Sequence, residues 1–464
     1  MDNRYKYLIK NTGILTISSF STKILTFLMV PLYTSVLTTE EYGTYDLAVS
    51  TVSLLIPILS VNIVDGVMRY SMDSRYDRAD IFSIGLRRIS VAILIFAAIL
   101  AFNSIFQITS IFAGKELLIL LYFISTMLYS LLTQFAKGCE AVRQMAVAGI
   151  ISTICLVGIN ILLLLVFKLG VTGFFVASCA SQLVPAIYLT VRLKIWNYTH
   201  LKIDMQVQAD VLKYTAPLVL TAVSWWINSA SDKYVVSFLI GVSANGILSV
   251  AYKIPTILNT IQQLFLQAWQ ISAVKEYNAD SKVFYQETFR ILDALMSFLA
   301  LGLILATRIL AHILYAKDFF VAWKYVPFLI ISSVINTASG YLGAILSAKK
   351  DSKTMGESAV ISAIANTVMN IVLVKWFGVQ GATIATVLSS FLIFAIRANH
   401  TQDVLPKSNI FTSFFVWFML CGTAWLYVYS KYYILILIPM VAVFMCYRKV
   451  YYTLFCSAKR VIKK

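Results

Sequence analysis

The sequence predicts an all-α polytopic membrane protein of about fourteen transmembrane helices, built as two pseudo-symmetric six-helix bundles plus a C-terminal helix pair. Three observations lead there. The 464-residue chain is 59% hydrophobic and 13% charged, with a mean hydropathy of +0.81, far from the balance of a soluble domain. Its apolar residues gather in runs of about 20, the length that crosses a hydrocarbon core of roughly 30 Å. Its basic residues concentrate in alternate gaps between those runs.

The basic segment Met1 to Gly13 leads into a run too long for a secretory h-region and without an Ala-x-Ala site, so the first span, 12–37, is expected to stay uncleaved. Spans at 44–68, 88–109, 116–136, 145–167 and 171–192 complete a first half over 1–200. Those at 213–240, 246–272, 290–315, 322–347, 355–376 and 379–397 form a second half over 201–400. The final stretch, 401–464, holds spans at 410–430 and 432–454 and a basic tail. No connection is long enough for a soluble domain.

With the N-terminus in the cytoplasm, inward segments carry 28 of the 38 Lys and Arg, and outward loops carry six: Lys115, Lys168, Lys317, Lys324, Lys375 and Lys431. Both termini are therefore expected to be cytoplasmic. The same distribution explains the net charge of +17 without nucleic acid. The six cysteines show no Cys-x-x-Cys spacing, the three histidines are scattered, and no Gly-rich phosphate loop occurs. No catalytic residue, metal or cofactor is expected, with H+ or Na+ as candidate coupling ions.

Apolar sequence breaks sharply at Thr38-Thr39-Glu40-Glu41, a Thr-x-x-Glu capping box that predicts a tight outward hairpin into the second span. An echo lies at Leu239 to Ala251, where Ser243 is the expected cap and Gly246 stands 203 residues after Gly43. Deeper in each half, Asn160 to Ala177 and Asn370 to Ala385 share Asn-Ile, then Gly-Val-x-Gly, then Ala. Such an internal match, with an even number of helices per half, predicts a parallel repeat about an axis along the membrane normal.

Four spans carry polar lines. In the eighth, Ser249, Lys253, Thr256, Thr260, Gln263, Gln267 and Gln270 recur at alternating spacings of 4 and 3, which is one face of a helix. The second carries Asp46, Ser50, Ser53, Pro57 and Ser60, the first Thr12, Thr16, Ser19, Lys23 and Thr26, and the seventh Thr221, Ser224, Asn228 and Asp232. Ser and Thr stripes also serve plain helix packing. The cations Lys23, Lys253, Lys233 and Arg308 shift the balance toward a water-filled cavity between the halves, because a cation at the bilayer centre costs about 2.5–3.5 kcal/mol on insertion scales. Lys233 and Arg308 lie nearer helix ends, where snorkelling is the alternative. Asp232 is the main candidate for ion coupling. Asp46 can favour its helix N-terminus, Asp65 can pair with Arg69, and Asp293 lies near Arg290. A cavity rich in cations and poor in acids suits an anion.

The stretch "MVPLYTSVLTTEEYGTYDLAVS" resembles the first hairpin of bacterial polysaccharide transporters, and the "LGVTG" and "FGVQG" turns and the extra C-terminal pair are similar to the same group. The resemblance implies the fold of the multidrug, oligosaccharidyl-lipid and polysaccharide exporter superfamily and alternating access. It implies a flippase of the bacterial cytoplasmic membrane whose cargo is undecaprenyl-diphosphate-linked oligosaccharide, feeding O-antigen, capsule or teichoic-type polymers, with polysaccharide polymerases as candidate partners. Related peptidoglycan-precursor flippases carry a basic residue, usually Arg, in the first helix, and Lys23 is the matching position. They also hold a lipid-tail groove near their last two helices, here 410–454. Rival readings are an ion-coupled multidrug extruder of the same superfamily, which favours acids in its cavity, and a membrane polysaccharide polymerase or ligase, which favours a long outward loop.

Overall fold

The computed structural model describes residues 25–107, 111–200, 203–275, 282–430 and 433–462. Ser19 and Lys23, with the first half of the expected 12–37 span, lie outside the described residues. No strand occurs among the described residues, which form sixteen α-helices joined by short turns. In chain order they begin with α1 (Val30–Val36), α2 (Thr39–Ser60), α3 (Ile63–Ser71), α4 (Arg78–Phe106), α5 (Glu116–Gly138), α6 (Val142–Asn160) and α7 (Gly170–Leu193). There follow α8 (Met205–Leu239), α9 (Val242–Ala251), α10 (Pro255–Lys275), α11 (Lys282–Leu314), α12 (Val326–Ala348), α13 (Ser352–Phe377), α14 (Val379–Asn399), α15 (Lys407–Tyr429) and α16 (Leu437–Ile462).

Ten of the described helices are long and apolar enough to cross a membrane: α2, α4, α5, α6 with its π-helical continuation to Val166, α7, and α11 to α15. The 35-residue α8 covers the expected 213–240 span but carries too many polar residues to join that set.

The capping box forms as the sequence predicts. The Glu41 amide donates to Thr38 Oγ1 at 3.1 Å, and the Thr38 amide donates to Glu41 Oε2 at 2.9 Å. The echo at Ser243 does not. The cap of α9 is Gly241, at φ 133°, with no side-chain bond, because the helix starts one residue before Ser243.

Two expected spans are each broken in two. The 44–68 run splits at Val61 and Asn62, both left-handed (φ 57° and 49°), just after Pro57. The 246–272 run splits at Tyr252 to Ile254, because Pro255 has no N–H to return to the Ala251 carbonyl and its ring crowds the preceding turn.

By packing, the chain divides into two compact units, Met1–Ser231 and Asp232–Lys464, a boundary inside α8. Within the first unit α3 and α4 pack on α5, α5 on α7, and α6 on α7. Within the second, α10 and α11 pack on α12, α12 on α14, and α13 on α14, while α15 and α16 pair and both lie on α11. The centre of the second unit is α12, whose apolar window is 89% buried, against 22% for α13. Ser333, Thr337 and Ser339 sit on this buried helix at no hydrogen-bonding cost, since each hydroxyl donates to the carbonyl four residues back. Outer helices instead expose large apolar side chains, such as Leu94, Phe102 and Ile105 on α4 and Ile364, Val368 and Trp376 on α13. That surface is an aggregation hazard in water and an ordinary one in lipid.

Both Gly-Val-x-Gly segments open a helix after a tight turn. Gly170 (φ 55°) and Gly378 (φ 60°) adopt the left-handed conformation that favours glycine. The second glycine of each motif lets the hairpin close: a Cβ on Gly381 would lie 2.1 Å from the Leu373 carbonyl oxygen, and one on Gly173 would lie 3.2 Å from Leu163 Cβ. The preceding Asn of each motif, Asn160 and Asn370, is fully buried. Its amide nitrogen is bonded to Leu156 O at 2.7 Å in one case and to Asn366 Oδ1 at 2.9 Å in the other.

Candidate functional site

The line Thr221, Ser224, Asn228 is exposed along α8, and Asp232, one turn further, is buried. Tyr252 donates its hydroxyl to Asp232 Oδ2, and the Lys233 backbone N–H lies 2.9 Å from Oδ1. Lys253 follows Tyr252 in the turn that Pro255 imposes, and both Lys253 and Lys233 are half-buried. Tyr252 thus ties the Asp232 carboxylate to the non-helical turn that also carries Lys253, and Lys233 is the next residue along α8.

The expected single face from Ser249 to Gln270 is divided by the same turn. Ser249 is buried on α9, whereas Thr256, Thr260, Gln263 and Gln267 lie on α10, where all but the half-buried Thr260 are exposed. Thr260 donates to the Thr256 carbonyl at 2.7 Å and Thr256 to that of Lys253, so these hydroxyls are satisfied locally.

Arg308 is exposed near the end of α11, with its guanidinium 5.6 Å above the Trp323 ring. Tyr427 OH donates to Leu305 O at 3.0 Å on the neighbouring turn. A guanidinium resting on an indole at a helix end has the form of an interfacial anchor.

Three acids differ from expectation. Asp46 is half-buried and does not serve the N-terminus of α2: the helix starts at Thr39, and Glu40 and Glu41 occupy its first turn. Asp65 accepts from Asn62 Nδ2 at 2.8 Å and from Gln134 Nε2 at 3.4 Å, not from Arg69, because its face of α3 packs on α5 while Arg69 is exposed. Asp293 is not paired with Arg290. It is 2% exposed on α11 and accepts from Trp417 Nε1 at 3.0 Å and from the Ser413 and Tyr447 hydroxyls. Three neutral donors from α15 and α16 thus converge on one carboxylate, and the adjoining gap against Phe289, Met296 and Thr337 has no room for water.

The sequence also gives no warning of two groups. Arg397, at the end of the expected 379–397 span, is half-buried, with Nε on Ser358 Oγ at 3.0 Å and Nη1 on Ser339 O at 2.9 Å. Asp77, Asp80 and His200, 123 residues apart at the extremes, come within 4.8 Å of one another. Asp77 caps α4 through the Ala79 amide and His200 Nε2 lies 3.3 Å from Asp80, so a helix cap and a His–Asp contact explain the group. The signal for the Tyr252 corner was present in the sequence: a proline three residues after a tyrosine inside an apolar run.

These features define a multi-pass helical membrane protein. The structure is similar to lipid II flippase MurJ in an inward closed conformation, with TM-score 0.69 and 16% identity over 96% of this chain and 99% of that one. It is also similar to a multidrug resistance MATE family transporter of the MOP superfamily in an inward-facing conformation, with TM-score 0.63 and 14% identity over 84% of this chain and 98% of that one. A third likeness is to the eukaryotic MATE transporter AtDTX14, with TM-score 0.52 and 12% identity over 88% and 96% of the two chains. No curated protein matches the sequence. The chain belongs to the polysaccharide biosynthesis protein family, which it matches over residues 8–270.

Proposed function

We propose that the protein is a flippase that moves undecaprenyl-diphosphate-linked oligosaccharide across the bacterial cytoplasmic membrane by alternating access, supplying cell-surface polysaccharide synthesis. Membership of the polysaccharide biosynthesis family carries this reading. The likeness in fold to a lipid II flippase over 96% of the chain supports it. Lys253 and Lys233, with Lys23, supply positive charge for the diphosphate, whose attraction to a cation strengthens where water is scarce. Asn228, Thr256, Gln263 and Gln267, exposed on α8 and α10, supply polar contacts for the sugar. Asp232 is the ion-coupling acid: its tie to Tyr252 links charge on α8 to the turn that holds Lys253.

A second reading, an ion-coupled multidrug extruder, draws on the likeness in fold to MATE transporters. Depleting the protein in its own host separates the two. The flippase reading expects loss of surface polymer and accumulation of lipid-linked oligosaccharide on the cytoplasmic side, with drug sensitivity unchanged. Raised sensitivity to cationic drugs with normal polymer establishes the extruder instead.

A further inference from the structure

A pocket on the first unit lies apart from all of these residues. Gly66 lets α8 close on α3, for a Cβ there would lie 2.6 Å from Thr215 Cγ2 and 2.8 Å from Val211 Cγ1. This approach brings Tyr214 to the end of α3. The Tyr70 ring meets Tyr214 edge-on at 5.9 Å and Tyr76 at 4.9 Å, and its hydroxyl donates to Asp210 O at 3.1 Å. With Arg69, Asp73 and Arg75 these rings line a pocket of about 160 Å³.

Its charges are unequal. Arg75 gives Nε and Nη2 to the Asp73 carboxylate, the latter at 2.7 Å, and lies 5.9 Å over the Tyr76 ring. That pairing holds the Asp73 pKa down to about 2, so the acid stays ionised and offsets one guanidinium. Arg69 makes no hydrogen bond or ion pair among the described residues. The lining itself therefore keeps one net positive charge beside three aromatic rings, while Asp210 lies outside the lining and acts on the Tyr70 hydroxyl. A bare phosphate needs no rings. A guanidinium for a phosphate ester and ring faces for the apolar side of a pyranose suit one ligand class.

We propose that this pocket binds a glycosyl phosphate and, resting on the flippase reading above, that it holds the headgroup of the lipid-linked saccharide before translocation. The test uses full-length protein in detergent, titrated with N-acetylglucosamine 1-phosphate, with inorganic phosphate, and with polyprenyl-diphosphate N-acetylglucosamine in nanodiscs. Both glycosyl phosphates should bind, and Arg69→Gln with Arg75→Gln should weaken both by roughly tenfold or more while the thermal midpoint holds. Tyr76→Ala should weaken the sugar phosphates and leave inorganic phosphate unchanged. Binding that is absent, is untouched by these variants, or is as tight for inorganic phosphate refutes the site, and so does displacement by phosphatidylglycerol nanodiscs. Binding of the soluble sugar phosphate alone refutes the loading role. Loss of binding with unchanged translocation in liposomes also refutes the loading role and leaves the flippase reading intact. Intact pocket binding in a parent protein that translocates nothing refutes the flippase reading alone.

Discussion

Asp232 and Asp293 are both buried acids on long helices, yet their partners give them different work. Asp293 has its two oxygens shared among three neutral donors from α15 and α16, which ties the C-terminal pair to α11. Asp293→Leu would strand all three donors, at about 1–3 kcal/mol for each buried group left unsatisfied. A large fall in thermal midpoint in detergent is expected, with Ser413→Ala falling much less, and an unchanged midpoint for Asp293→Leu would contradict the anchor. Asp232 accepts from a tyrosine hydroxyl and from the neighbouring backbone N–H, at the corner that carries Lys253. Asp232→Asn should keep protein abundance and impair polymer export, and normal export at normal abundance would make Asp232 a structural acid. Neither environment was legible in sequence: the partners of Asp293 lie 120, 124 and 154 residues away, and local spacing offered only Arg290.

Helices and turns were legible where their causes are local. The Thr38–Glu41 capping box and both Gly-Val-x-Gly hairpins depend on residues within a few positions of one another, and all three form. The breaks at Val61–Asn62 and Tyr252–Ile254 were missed because hydrophobicity continues through them, although Pro255 marked the second. The splitting of the eighth-span polar line follows from that single proline. Glycines on α13 and α14 test how tightly the hairpin is built. Gly381→Ala forces a methyl against the Leu373 carbonyl, whereas Gly356→Ala meets nothing within 4 Å. The first should abolish folded protein on size exclusion. The second should be neutral or stabilising by up to about 1 kcal/mol, since Ala is the better helix former. Equal behaviour of the two would show that the hairpin is looser than described.

At the scale of the molecule, a membrane protein was evident from composition, because only long apolar helices with internally satisfied backbones fill such a sequence. From the distribution of charge we propose an orientation that places the N-terminus, the turn after α3 and the turn after α7 on the cytoplasmic side. Single cysteines at Arg75 and Ser243, exposed to an impermeant thiol reagent on intact cells, should react at Ser243 and not at Arg75. The reverse pattern would invert the topology. The substrate was not legible from pattern, because a polar stripe records a wet surface and not what passes over it.

Reconstitution decides the function. Purified protein in liposomes, supplied with a fluorescent polyprenyl-diphosphate oligosaccharide and an impermeant quencher, should bring the outer-leaflet fraction to equilibrium faster than protein-free vesicles. Lys253→Ala should slow that exchange and Lys253→Arg should retain much of it, because the diphosphate is held by charge. Exchange no faster than in empty vesicles, with folded parent protein present, would contradict the flippase assignment.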